Sequence, residues 1–150
     1  IEMHEYHKKK HLGLIMYDRK HLYIDGAWIV PKIKGKIEVV NPASEEIIGS
    51  VPVARERDLD AAVKAARKAF PSWSMTSVEE RAGILNRLSA SIKDNAEELA
   101  TIITSEVGTP IEYSRMAMVG TPRVVSRSYA KILEGYIWEE EIRNSLIVKE

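Results

Sequence analysis

Cysteine is absent from the 150 residues. That excludes a disulfide framework, a cysteine–zinc centre and a thiol nucleophile within this chain, and it fits the reducing cytoplasm we expect as its compartment. Charge of either sign is not in excess: 22 Lys and Arg stand against 22 Asp and Glu, and the formal net charge is zero. A nucleic-acid partner, which calls for a basic footprint, is therefore not expected, and neither is an acidic disordered tail. Long apolar runs are missing as well. The longest stretch without Lys, Arg, Asp or Glu is Ala69 to Val78, ten residues, about half of what a membrane-spanning helix needs. No membrane partner is expected. The eight glycines never stand two apart, so no G-x-G-x-x-G dinucleotide loop exists. A phosphate loop, a G-x-S-x-G elbow and an H-E-x-x-H zinc motif are absent too.

What is present divides into a β half and a helical half. Leu22-Tyr23-Ile24, Asp25-Gly26 and Ala27-Trp28-Ile29-Val30 read as a tight hairpin, because Asp-Gly tolerates positive φ at both turn positions. Pro31 ends it. Ile33-Lys34-Gly35-Lys36 reads as a further turn, and Ile37-Glu38-Val39-Val40 as a strand stopped by Asn41-Pro42; Ile47 to Val51 resumes the β pattern. Residues 1–20 carry His4, His7, His11 and a lysine triplet. His7 and His11 would share a helical face and form a metal-binding pair, but we read the segment as a flexible or expression-derived leader.

From residue 55 the period becomes helical. Leu59, Ala62, Val63, Ala66 and Phe70 form one stripe, with Pro71 expected to end the helix. Ser77 and Glu80 form a capping box before a second helix with the stripe Ala82, Leu85, Leu88 and Ile92. Lys93-Asp94-Asn95 is expected to break it, after which Leu99, Ile102, Ile103 and Val107 continue an apolar face. Gly108 sits where a left-handed residue would end that helix. A longer helix over about 111–134 repeats Ile111, Met118, Val125 and Ile132, and Gly120-Thr121-Pro122 predicts a kink or a split. Ser145-Leu146-Ile147-Val148 reads as a strand without a partner nearby in sequence. Paired acids, Glu79/Glu80, Glu97/Glu98 and Glu139–Glu141, read as capping or solvated residues, since neighbours on a helix point apart. On residue pattern alone the chain is an α+β piece without a catalytic constellation.

Several segments resemble the NAD(P)-dependent aldehyde dehydrogenase superfamily, collinearly from about residue 22 to residue 150. Leu22 to Trp28 is similar to its "(Y/F)I(D/N)GxW" opening, and Val39-Val40-Asn41-Pro42-Ala43-Ser44 to its "V-x-N-P-A-T" turn. Asp60 to Phe70 resembles "D-x-A-V-x-A-A-R-x-A-F", with Trp73 and Arg81 at matching positions. Glu97 to Pro110 resembles "E-E-L-A…E-x-G-K-P", and Tyr129-Ala130 a later "Y-A". The resemblance implies an α/β parent fold, of which this chain supplies N-terminal β-hairpins, three or four α-helices and a C-terminal strand. It implies residues 21–144 as the N-terminal part of a cofactor-binding domain and 145–150 as the start of an oligomerisation-type strand.

The implied activity of the parent is oxidation of an aldehyde to a carboxylic acid with NAD or NADP, through a thiolate nucleophile. Family members are about three times longer, and the nucleophile, the general base and the cofactor-binding residues lie beyond residue 150. The expectation is thus an inactive fragment with no catalytic or cofactor-binding residue of its own and no cofactor bound alone. Its partners would be the missing remainder of the enzyme or further copies of itself. The alternative is a non-catalytic helical interaction or assembly module. Two secondary sites carry over. A monovalent cation held in several members by backbone carbonyls and an acid maps to Val39, Val40 and Glu106, against a plain helix-end role for Glu106. The aldehyde tunnel maps to Ala117, Met118 and Thr121, against ordinary packing. Thr109 replaces the commoner lysine, Glu45 stands where glycine is common, and Pro122 is unusual within its helix.

Overall fold

The computed structural model describes residues 8–11, 14–32, 35–142 and 145–148, with side chains described for 19–32 and 35–138. Two compact units result: residues 1–75 with 101–114, and residues 76–100 with 115–150.

The first unit holds the strands up to residue 52, the first helix and, within 101–114, the end of the third helix and the short fourth helix. Strands β1 (Lys8–His11) and β2 (Leu14–Asp18) pair antiparallel. β3 (Leu22–Ile24) and β4 (Ala27–Ile29) form the expected hairpin, with Asp25 and Gly26 at φ +52° and +79°. Those angles make the primed turn whose twist matches that of the strands. Tyr23 and Trp28 face each other across the ladder, ring centroids 5.0 Å apart. β5 (Lys36–Val40) and β6 (Ile47–Pro52) pair antiparallel. β2 adds parallel to the other edge of β6 through Tyr17↔Gly49 and Asp18↔Ser50, so the sheet order is β1-β2-β6-β5.

Part of the segment expected to be a leader is therefore strand. The reason is non-local: an open edge of β6 offers unpaired N–H and C=O groups, and β2 satisfies them. His11 lies in β1, a strand rather than the helical face its spacing suggested, while His4 and His7 lie outside the described residues. So do Ile33 and Lys34 of the expected second turn.

α1 (Glu56–Ser74) begins with the Arg55 N–H donating to the Asp58 carboxylate at 3.0 Å. Pro71 does not end it. A proline in the last turn forfeits only its own bond, and the turn is closed instead by the Ser72 hydroxyl on the Ala69 carbonyl (3.0 Å) and the Ser74 hydroxyl on that of Pro71 (2.9 Å). None of the 19 residues of α1 is buried; Leu59 is 62% and Phe70 65% exposed. The apolar stripe read from the sequence exists but is not covered among the described residues.

In the second unit, α2 (Val78–Asp94) starts as expected, the Ser77 hydroxyl accepting from the Glu80 N–H at 3.1 Å. Asn95 separates α2 from α3 (Ala96–Val107), its side-chain amide donating to the Ser91 carbonyl at 2.8 Å. After α4 (Ile111–Tyr113) comes a π-helical turn, Ser114–Val119, and then α5 (Gly120–Gly135). The interruption expected at Gly120-Thr121-Pro122 thus takes the form of a wider turn just before it. Pro122 has no N–H for the Met118 carbonyl, so the i→i−4 ladder cannot run through unchanged. α2 packs along α5 through small residues, Ala82, Ser89 and Ala130, and the Ser89 hydroxyl donates to the Arg123 carbonyl at 2.9 Å. β7 (Glu139–Ile142) pairs antiparallel with β8 (Ser145–Val148). The expectation that 145–148 lacks a nearby partner is corrected: the acid-rich segment read as solvated supplies it. No described helix is long and apolar enough to cross a membrane.

Candidate functional site

The Asn-Pro turn and the end of α3 meet in the first unit. The Asn41 side-chain oxygen accepts from the Ala43 N–H at 2.9 Å, and backbone bonds Asn41 N–H to Glu46 (2.9 Å) and Glu45 N–H to Asn41 (2.8 Å) close the turn. Glu45, where glycine was the commoner residue, keeps the turn by adopting φ +60°. Just before it the β5–β6 register shifts, Val39 opposing Gly49 and Val40 opposing Ile47, so that Ile48 is the extra residue of a bulge. Gly108 ends α3 at φ +77°, as the sequence predicts, with its N–H on the Thr104 carbonyl at 2.9 Å. It lies so close to the turn that a Cβ there would stand 2.8 Å from Pro42 Cγ.

Behind this contact sits a group of hydroxyls that sequence reasoning missed. Ser114 is fully buried; its Oγ accepts from Thr104 Oγ1 at 2.8 Å and shares a bond with Thr109 Oγ1 at 2.7 Å. A buried hydroxyl needs such partners. Thr109, noted only as a departure from the lysine pattern, was the one available signal.

A cavity of about 80 Å³ opens beside β6. Val39, Ile48, Val51 and Ile102 make an aliphatic wall, Gly49 adds backbone, and Arg19 and Glu106 are its charged residues. Of the three residues expected at a cation site, the fold brings Val39 and Glu106 to this cavity and leaves Val40, an exposed residue, outside its lining. At roughly 10–15 Å³ per water the space takes several waters or one small ion, far below the ~300 Å³ at which cofactor and substrate pockets begin. Glu106, an exposed residue, supplies the one carboxylate of the lining, Arg19 is its one positively charged residue, and the remaining residues offer only main-chain oxygens. No cluster of three or more His, Asp or Glu able to hold a metal occurs among the described residues. Arg19 gave no signal in the sequence because it falls in the expected leader.

The expected tunnel residues belong to the second unit. Ala117 and Met118 sit half-buried in the π-helical turn, and Thr121 is exposed in the first turn of α5. Near the start of that turn Arg115 forks onto Glu97, Nε to the two carboxylate oxygens at 3.1 and 3.0 Å and Nη2 at 2.8 Å. At the start of α2 the Glu79 carboxyl is held below the usual carboxylate range, first by its own backbone N–H and then by the Ser77 hydroxyl.

The profile of the "Aldehyde dehydrogenase family" matches residues 28–146. A curated relative, the 3-succinoylsemialdehyde-pyridine dehydrogenase of a Pseudomonas species, is 36% identical over 138 residues, 90% of this chain and 28% of the relative. Among solved structures, a mutant aldehyde dehydrogenase C from Pseudomonas syringae, complexed with NAD+ and octanal, superposes with a TM-score of 0.83 at 37% identity. That match covers 87% of this chain and 27% of the other. An aldehyde dehydrogenase from Bartonella henselae gives 0.81 at 28% identity, covering 87% and 28%. The chain thus spans a little over a quarter of the length of the relatives it matches. With the opening hairpin, the Asn-Pro turn and the E-V-G-T-P helix end in family order, this chain belongs to the aldehyde dehydrogenase family.

Proposed function

We propose that these 150 residues form the N-terminal part of the cofactor-binding domain of an NAD(P)-dependent aldehyde dehydrogenase and are inactive on their own. The whole enzyme would oxidise an aldehyde to a carboxylic acid, consuming water and reducing the nicotinamide of NAD or NADP. This chain would supply scaffold: the Asn-Pro turn locked against the end of α3, and helices whose apolar faces are made to be covered. The observation that carries the reading is the uncovered stripe of α1 in a chain matching a little over a quarter of its relatives. The covering partner would be the remainder of the enzyme or another copy of the chain, in a cytoplasmic oligomer. The residues 117, 118 and 121 would join the wall of the aldehyde path only in that larger assembly.

The test is direct. The purified chain, given NAD+ or NADP+ and aliphatic and amino aldehydes, should produce no absorbance at 340 nm above the blank, and calorimetry should detect no binding of either dinucleotide. Turnover by clean chain would end the proposal. Light scattering provides a second arm: a monomer that stays monodisperse and binds no apolar dye would contradict the need for a covering partner.

A further inference from the structure

The π-helical turn Ser114–Val119 holds one residue more than an α-helix with the same covered positions needs, and we infer that it stores a one-residue register shift kept in place by the buried Ser114 hydroxyl. From Val119 onward the covered positions are Val119, Ser126, Ala130 and Leu133, spaced seven, four and three residues apart as one α-helical face requires. Carried back through an unbroken α-helix, that face would take in Glu112, Arg115 and Met116. All three are exposed, Met116 at 77%. The buried residue is Ser114, five positions before Val119 and about 140° from it around an α-helix. A π turn bonds residues five apart, so it stacks Ser114 and Val119 on one side. Ser114 Oγ is tied to Thr104 Oγ1 at 2.8 Å and Thr109 Oγ1 at 2.7 Å, while Arg115 is held outside by Glu97 at 2.8 Å. Sliding the start of the helix into unbroken α register would take the Ser114 hydroxyl from both partners and bring in the Met116 thioether, which an apolar interior accepts. Ser114 in with Met116 out, and Met116 in with Ser114 out, are therefore the two registers, and the hydroxyl bonds select the first. The inference goes beyond the proposed enzyme role, and its test reads no aldehyde oxidation.

The full chain has no cysteine, so a single introduced thiol reports its own exposure. Met116→Cys should react with a maleimide as fast as Met75→Cys, a reference at an 84% exposed position. Adding Thr104→Val and Thr109→Val takes both partners from the Ser114 hydroxyl, and labelling at position 116 should then slow at least about tenfold as the helix slips. Deleting Ala117 should turn the π turn into α-helix with Ser114 and Val119 four apart and still covered. Its thermal midpoint by circular dichroism should stay within about 3 °C of wild type, and position 116 should stay reactive. Deleting Arg127, inside α5, should lower the midpoint by more than about 10 °C, because Ala130 and Leu133 then turn away from the side of Val119 and Ser126. An Ala117 deletion as damaging as that of Arg127, or labelling at position 116 unmoved by the valine pair, overturns the inference. Should the valine pair not fold, the Ala117 deletion alone decides, since it keeps all three hydroxyls.

Discussion

Gly108 is where two distant motifs press hardest on each other, and Gly108→Ala isolates that contact. The backbone stands at φ +77°, which an L side chain adopts at a cost of about 1–2 kcal/mol. The added Cβ would also meet Pro42 Cγ at 2.8 Å, and a pyrrolidine ring cannot swing aside as a flexible chain would. Overpacking of this kind costs about 1–3 kcal/mol. Lower entropy of the unfolded alanine chain returns about 0.4–1 kcal/mol. The net loss is about 3 kcal/mol, or a midpoint lowered by roughly 6–12 °C in a domain of this size. Urea titration with tryptophan fluorescence and far-ultraviolet dichroism would measure it. The ring contact is separable from the dihedral: in a Pro42→Ala background the same substitution should cost only about 1 kcal/mol, the dihedral part less the entropy return. A Gly108→Ala protein within about 0.5 kcal/mol of wild type, or an unchanged cost in the Pro42→Ala background, refutes the reasoning.

Glu45→Gly should stabilise by about 0.5–1 kcal/mol, since relief of φ +60° exceeds the entropy glycine adds to the unfolded chain; chemical denaturation reads the sign. Ser77→Ala should cost about 1 kcal/mol through the lost cap of α2. It should also let the Glu79 carboxyl rise toward its usual value, visible in carboxyl carbon shifts on titration. Because the folded value lies below the unfolded one, Glu79 adds stability that is full above the ordinary carboxylate range and fades as pH falls through the folded value. Leu59→Glu with Phe70→Lys should change stability by less than about 1 kcal/mol, these side chains being already exposed, while reducing self-association in sedimentation velocity.

Where local chemistry decides conformation, the sequence was sufficient. Asp25-Gly26 set the hairpin because positive φ is cheap there, Ser77 with Glu80 opened α2, and Gly108 ended α3; each involves residues within a few positions of one another. The family, and with it the α/β parent fold, was legible because short motifs kept their order over the chain. Two local features ran against the pattern: hydroxyls three residues past their acceptors closed the last turn of α1 around Pro71, and an acid-rich segment that no β signal marked paired with 145–148 across a two-residue gap. Tertiary structure alone decided the rest. Residues 14–18 became strand because β6 had an edge to offer. The hydroxyl group around Ser114 and the cavity that joins Arg19, Val39 and Glu106 gather residues up to 87 positions apart. Periodicity could say that α1 has an apolar face; whether anything covers that face depends on contacts between elements, which no local pattern encodes.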